Sequence, residues 1–323
     1  MIRPSTERGS RFDSIAQASF LASGPLTGPN VLRAPLRPRS TGRRPHRTTR
    51  EEVAVSAVVD PVQVDAAIVD SAARRLAEAA AERRPCAPVR DLIDPQDVHT
   101  AYRIQERFNA FRVRAGIEVV GRKIGATSEA VQRQLGVDQP DFGVLFADMA
   151  YGHGDTIATE LLLQPKAEAE IAFILAEDLA EGPLDPARCR RAVAEAVAAL
   201  EIVDSRITNW DITFADTVAD NASSGVYVLG TERKTLDEFE PIEASMSMLI
   251  DGAEVSTGTG AACLGDPLNA LSWLARQART FGNPLRAGQV ILSGALGPMR
   301  PVSPGAVVEA RIHGLGHVTA TFE

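Results

Sequence analysis

Two glutamates one residue apart, Glu168 and Glu170, lie in a run (residues 164–175) where Ala169, Ile171 and Phe173 alternate with Glu168, Glu170 and Ala172. That alternation predicts a strand, in which residues i and i+2 share a face. The two carboxylates then stand side by side while Ile171 and Phe173 enter the apolar side. Neighbouring anions repel unless water or a cation separates them, and a half-buried strand offers little water. A divalent metal resolves the conflict; the solvated outer face of an edge strand is the plainer alternative. A third carboxylate, Glu201, sits among apolar residues in the stretch 198–206, which reads as the following strand. Glutamate in such surroundings is rarely left unpaired. Three carboxylates from adjacent strands form a hard, all-oxygen site suited to Mg²⁺ or Mn²⁺. Neither strand carries His or Cys, which argues against zinc.

A cation is also misplaced by ordinary standards. Lys123 lies between apolar residues in a glycine-bracketed strand over 118–127. It either snorkels to water or is a desolvated amine that binds a carboxylate or shuttles protons. The loop 136–143, dense in Gly, Pro and Asp, brings in Asp141, which by itself could be a turn former only.

The elements that must position these groups are legible in part. A helical pattern runs from Asp60 to about Arg84-Pro85. A second helix is expected with Asp94 as its N-cap and Pro95 in its first turn, extending to Ala115-Gly116. A helix over 128–135 follows the Lys123 strand. Asp185-Pro186 is read as opening a helix that reaches about Ala199, and residues 204–224 as a long functional loop. Strand resumes at 225–230. Asp251-Gly252 marks a hairpin turn between 246–250 and 253–256. Asp266-Pro267 opens the last helix, 289–294 is a strand, and His313 and His317 flank a surface turn.

Composition narrows the function. A chain of 323 residues with 45% hydrophobic and 24% charged residues is ordinary globular protein. A net charge of −8 disfavours general nucleic-acid binding. Cys86, Cys189 and Cys263 are far apart and odd in number, so neither a disulfide framework nor a zinc spacing is present, and a reducing cytoplasm fits. No apolar run reaches the roughly 20 residues that span a bilayer. Residues 1–52 are Arg-, Pro- and Ser-rich and read as a disordered basic tail. A transit peptide, a nucleic-acid arm and translation from an upstream start codon share that composition. Residues 53–323 are expected to form one catalytic domain, helical over about 60–118 and β-rich over about 119–323.

Several runs together carry a resemblance: residues 121–125, 134–143, 145–149, 168–172, 216–223, 263–270 and 293–299. Over about residues 86–323 the chain resembles the 2-oxopent-4-enoate (2-hydroxypenta-2,4-dienoate) hydratases of the fumarylacetoacetate hydrolase superfamily. The resemblance implies an α+β, mostly β fold with a curved mixed sheet and flanking helices. It implies a hydro-lyase of aromatic meta-cleavage catabolism that takes 2-hydroxypenta-2,4-dienoate to 4-hydroxy-2-oxopentanoate. It also implies Mg²⁺ or Mn²⁺ on Glu168, Glu170 and Glu201, with catalytic roles for Lys123, Asp141 and Ser223, Ser224 being the neighbour that could stand in for Ser223. The partners it implies are a small-molecule dienoate, further copies of the chain, and a complex with a downstream aldolase or related decarboxylase; nucleic acid and membrane are not among them.

Three rivals are defined by what each would need. A 4-oxalocrotonate decarboxylase of the same family would want a second basic anchor in the pocket. A fumarylacetoacetate-type hydrolase would want a histidine near the metal, for which His153 is the nearby candidate. A silent scaffold partner would show an eroded carboxylate set, whereas Glu168, Glu170, Glu201, Lys123 and Asp141 all stand.

Overall fold

A computed structural model describes residues 66–128, 132–133 and 137–323. The basic tail 1–52 lies outside them, as do residues 53–65 and most of the helix expected over 128–135. The architecture is the mostly β, mixed-sheet arrangement expected.

Two helices open the described chain. α1 (Ala66–Glu82) buries Val69, Ala72, Ala73, Leu76 and Ala79, a spacing of three and four that gives one apolar stripe. α2 (Val98–Arg114) begins later than its sequence suggests. Its N-cap is Asp97, whose carboxylate accepts from Thr100 N at 2.9 Å, while Asp94 accepts from Gln96 N in the preceding turn. Both aspartates can cap, and the one nearer the first buried helical residues prevails.

The main sheet has strand order β2-β1-β10-β5-β6-β7-β3, with β11 also pairing β5. Its strands are β1 (Val119–Gly125), β2 (Asp141–Phe146), β3 (Ala150–Gly152), β5 (Lys166–Leu175), β6 (Val193–Val203), β7 (Ser224–Lys234), β10 (Val290–Leu292) and β11 (Arg300–Pro301). β1–β10 and β3–β7 are parallel and the remaining pairs antiparallel. Register shifts in β5–β6 and β6–β7 bend the sheet, as β-bulges do. A second sheet, in the order β4-β13-β12-β8-β9, comprises β4 (Thr156–Ile157), β8 (Ser245–Ile250), β9 (Ala253–Thr259), β12 (Val307–Ile312) and β13 (Gly316–Phe322). Asp251 and Gly252 have φ of 52° and 79° at the β8–β9 turn, the left-handed pair a tight hairpin needs. Inner residues of this sheet (Val308, Ala310, Val318, Phe322) share one core with Ala198, Leu200 and Ile202 of β6.

Three shorter helices complete the frame. α3 (Pro186–Ala192) is capped by Asp185 but stops at Ala192 rather than near Ala199. Residues 193–199 belong to β6, whose alanines and valines are buried on both faces. A continuous Ala/Val run carries no period, so the sequence does not separate buried strand from helix there. α4 (Phe214–Ala219) forms inside the segment expected to be a loop, burying Phe214, Ala215 and Val218 against α1 and α2. α5 (Pro267–Thr280) starts where expected, its N-cap Asp266 accepting from Leu268 N at 2.8 Å.

Candidate active site

The site forms where the main sheet parts. β10 ends at Leu292, the last partner of Lys123. Beyond it the chain stays with β5, through Ser293 N to Ile171 O and Leu296 N to Ala169 O, both 3.0 Å. Ile124 and Gly125 at the end of β1 are thereby left without a partner on β10, and the Lys123 side chain reaches Glu201 of β6.

Along β5 the alternation holds. Ala169, Ile171 and Phe173 are buried in the main core, and Lys166, Glu168 and Glu170 take the opposite face. The β5–β6 register sets Glu168 directly opposite Glu201. Like charges facing each other across a ladder are destabilising unless something intervenes. Ligand atoms of Glu168, Glu170 and Glu201 lie within 4.8 Å of one another. Glu170 and Glu201 are 0% and 1% exposed, and Lys123 3%.

The Lys123 ammonium lies 3.2 Å from Glu201 Oε1 and donates to Ala222 O at 2.9 Å. Burial alone would lower its pKa, but Glu201 first, with Asp141, Glu168 and Glu170, holds it above the usual lysine range. Burial likewise raises the carboxyls: Glu168 to about 7, with Glu201 adding to the effect, and Glu170 and Glu201 upward as well. Glu170 Oε2 accepts from Gly294 N at 2.8 Å. Glu170 Oε1 and Glu201 Oε2, however, are buried with no hydrogen-bond donor among the described residues, and Glu201 Oε1 has only the Lys123 ion pair. Orphaned anionic oxygens in an all-oxygen cluster fit a hard divalent cation, which supplies the charge that one ammonium cannot.

Asp141 is not in a loop. It is the first residue of β2, paired with Gly125, so it shares a face with Lys123. A Cβ on Gly125 would stand 2.2 Å from Asp141 Oδ1 and 3.2 Å from Lys123 Nζ, so the missing side chain is what lets both groups point into one space. Burial raises the Asp141 pKa, with Lys123 opposing, and its Oδ1 has no hydrogen-bond donor among the described residues. Ser223 lines the same cavity, its Oγ 3.2 Å from Thr217 Oγ1. Ser224 Oγ is instead committed to Asn221 O at 2.9 Å, which favours Ser223 of the two.

Residues that sequence reasoning left unassigned hold this arrangement. Asn221, Ala222 and Ser223 have φ of 55°, 52° and 52°, three consecutive left-handed residues, none of them glycine. Such a turn persists only when its surroundings over-determine it. The Asn221 side chain does so, accepting from Val144 N at 2.8 Å and Asn109 Nδ2 at 2.9 Å while donating to Val144 O at 2.9 Å. Asp220 and Arg206 form a buried ion pair beneath it, and Arg206 Nη1 donates to Ser224 O at 2.6 Å. Asp216 accepts from Val89 N, Arg90 N and Thr213 N, tying the helical part to the site. Asn at a left-handed position is a usable signal; the contacts of Asn221 with Val144 and Asn109 and of Asp216 with Val89 and Arg90 join segments far apart in the chain, which no local pattern announces.

The cavity they enclose has a volume of about 220 Å³ and is lined by Lys123, Asp141, Glu168 and Ser223, with Lys166, Trp210, Ile212 and Met299 on its other walls. His153 is elsewhere, in a turn where its Nδ1 accepts from Thr319 N and its ring meets His317 edge-on. His313 and His317 are exposed, as expected.

With this geometry in hand, comparison with known proteins is decisive. The profile for fumarylacetoacetate (FAA) hydrolase C-terminal matches residues 111–323. The chain belongs to this family. Among the family's curated members it is 55% identical over 254 residues to the TodF product hydratase of Pseudomonas putida, covering 79% of this chain and 95% of that one. It is 53% identical over 254 residues to the 2-keto-4-pentenoate hydratase of Burkholderia vietnamiensis, covering 79% and 97%. Among solved structures it superposes on the 4-oxalocrotonate decarboxylase of Pseudomonas putida G7, complexed with magnesium and adipate. There the TM-score is 0.77 and the identity 29%, covering 80% of this chain and 98% of that one. No described helix is long and apolar enough to cross a membrane.

Proposed function

We propose that the protein is a divalent-metal-dependent 2-oxopent-4-enoate hydratase, adding water to 2-hydroxypenta-2,4-dienoate to give 4-hydroxy-2-oxopentanoate in meta-cleavage catabolism. The observation that carries the reading is the cluster of Glu168, Glu170 and Glu201, whose member Glu168 lines one small cavity with Lys123 and Asp141, in a chain about half identical to hydratases over nearly their whole length. Glu168, Glu170 and Glu201 would hold Mg²⁺ or Mn²⁺. When bound, the ion supplies a Lewis acid for negative charge at the substrate C2 oxygen.

Water does not add usefully to an electron-rich dienol. The dienol must first lose its hydroxyl proton and gain one at C5, giving the 2-oxo-3-enoate. Its electrophilic C4 then takes water, and a proton at C3 completes the ketone. Asp141, with an uncommitted buried oxygen and a raised pKa, is suited to carry a proton between oxygen and carbon. Lys123, kept cationic by its carboxylate neighbours, faces the enolate charge that develops as water attacks. Ser223 would orient the water or the substrate through its hydroxyl. Gly125 leaves the space in which Lys123 and Asp141 meet the substrate.

The decarboxylase reading draws on one observation here: a second cation, Lys166, does line the cavity. Identity of 55% and 53% to hydratases against 29% to the decarboxylase outweighs it. An ultraviolet assay of freshly generated 2-hydroxypenta-2,4-dienoate with Mg²⁺, Mn²⁺ or a chelator, run beside 4-oxalocrotonate, tests the choice. Metal-dependent loss of dienol absorbance without CO₂ release from the second compound is expected. CO₂ release would make it the decarboxylase, and silence on both would overturn the substrate while leaving the site.

A further inference from the structure

Of the two lysines lining the cavity, one is already engaged. Lys123 is paired with Glu201 and bonded to Ala222 O. Lys166 follows a different logic. It shares the inward face of β5 with Glu168 and Glu170, yet among the described residues it forms no ion pair with any carboxylate. Its ammonium sits instead over the Trp210 ring, 4.0 Å from the centroid. A ring face holds a cation in place without neutralising it, so the charge remains available to an anion.

Trp210 is itself a built feature. Asn209 and Trp210 have φ of 57° and 56°, two successive left-handed residues, neither of them glycine. Trp210 Nε1 donates to Gln164 O at 2.9 Å, and Gln164 Nε2 donates to Ser205 O and Ile207 O at 2.9 and 2.8 Å. Backbone strain of this kind is kept where the position of the side chain matters. What the strain positions here is an indole that seats the one uncommitted ammonium among the residues lining the cavity.

We propose that Lys166, seated on Trp210, anchors the C1 carboxylate of the substrate. This rests on the hydratase reading and deepens it. A 2-oxo acid brings a carboxylate into a cavity lined by Glu168 and Asp141, next to Glu170 and Glu201, and Lys166, which forms no ion pair with any of them, is suited to receive it. Lys166 is two residues from Glu168 on the same face, beside the place where an oxygen chelate would lie. Lys123 is thereby released from holding the carboxylate and left to face the reacting carbons. Ile212 and Met299, on the same cavity wall, give the uncharged vinyl end an apolar surface.

The test uses Mg²⁺-loaded full-length protein and two probes: the dienoate, for KM and kcat, and the unreactive saturated 2-oxopentanoate, for a calorimetric Kd. In Lys166→Met both KM and Kd should rise about 10- to 100-fold, the worth of one charge-assisted hydrogen bond, while kcat changes little. Lys166→Arg should recover most of the loss, and Trp210→Ala should raise Kd by less than Lys166→Met does. Mg²⁺ affinity should be the same in all. Unchanged Kd in Lys166→Met overturns the proposal. So does a parallel loss of Mg²⁺ affinity, which would make Lys166 a support for Glu168. A wild-type protein that binds 2-oxopentanoate through Lys166 but hydrates nothing would overturn the function and leave the anchor standing.

Discussion

Glu168 and Glu201 face each other across the β5–β6 ladder, two carboxylates in direct cross-strand register beside the cavity that Glu168 lines. Nothing in the packing of either strand calls for that pairing, and the Lys123 ammonium, 3.2 Å from Glu201, offsets only one of the charges. On the proposed reading the rest of the compensation would fall to a bound cation, and the energetic consequences of this arrangement are measurable.

Replacing Glu170 with Gln removes the negative charge of one proposed ligand, while the amide oxygen can still accept from Gly294 N. Changes even beyond the ligands of a metal site cost about 10- to 100-fold in affinity, so a ligand change should cost at least that. Calorimetric titration with Mn²⁺ checks the expectation. Hydration should fall in step, and full turnover in the presence of a strong chelator would contradict the scheme.

The same cluster links metal binding to pH. Burial, with Glu201 adding, lifts Glu168 to about 7 and raises Glu170 and Glu201 too. A carboxyl whose pKa is higher folded than unfolded stabilises the metal-free fold at low pH, and that contribution is lost as pH rises through the folded value. The metal-free protein should therefore melt at lower temperature as pH goes from about 5.5 to about 8. Metal needs the deprotonated carboxylates, so Mn²⁺ affinity should strengthen over the same window, and saturating Mn²⁺ should remove the loss of melting temperature. Differential scanning calorimetry with and without Mn²⁺ reads both, and a pH-independent Mn²⁺ affinity would show that the cluster carries no proton to displace.

Lys123→Met keeps the stem of the side chain and deletes its charge. With metal bound, turnover should drop by about 10²-fold or more. Circular dichroism and Mn²⁺ affinity separate this from a folding defect. Undiminished kcat would reduce Lys123 to a structural counter-ion of Glu201.

Asn221→Ala tests the left-handed turn. It strips Val144 N, Val144 O and Asn109 Nδ2 of their partner, and buried groups left unsatisfied cost about 1–3 kcal/mol each. Urea unfolding should register a loss of roughly 3 kcal/mol or more. Because Ala222 O then no longer sits where Lys123 reaches it, kcat should fall along with stability.

Read by itself, the amino-acid sequence determined the local elements of this protein. The alternation along residues 168–173 specifies a strand with both glutamates on one face, because side-chain direction in a strand depends only on i and i+2. Asp251-Gly252 and Asp266-Pro267 locate a turn and a helix start through backbone preferences carried by those residues alone. The family runs were legible too, and with them Lys123, Asp141 and Glu201 as candidates. Tertiary structure decided the rest. Residues 193–199 are strand rather than helix because both faces of β6 are covered, which an Ala/Val run does not announce. Asp141 is a strand residue because β1 is there to pair it. Glu201 meets Glu168 through a register that no local pattern encodes, and Lys166 finds Trp210 across 44 residues of chain. Periodicity reports the geometry of a single element; register, strained turns and charge partners arise only when distant elements are packed against one another.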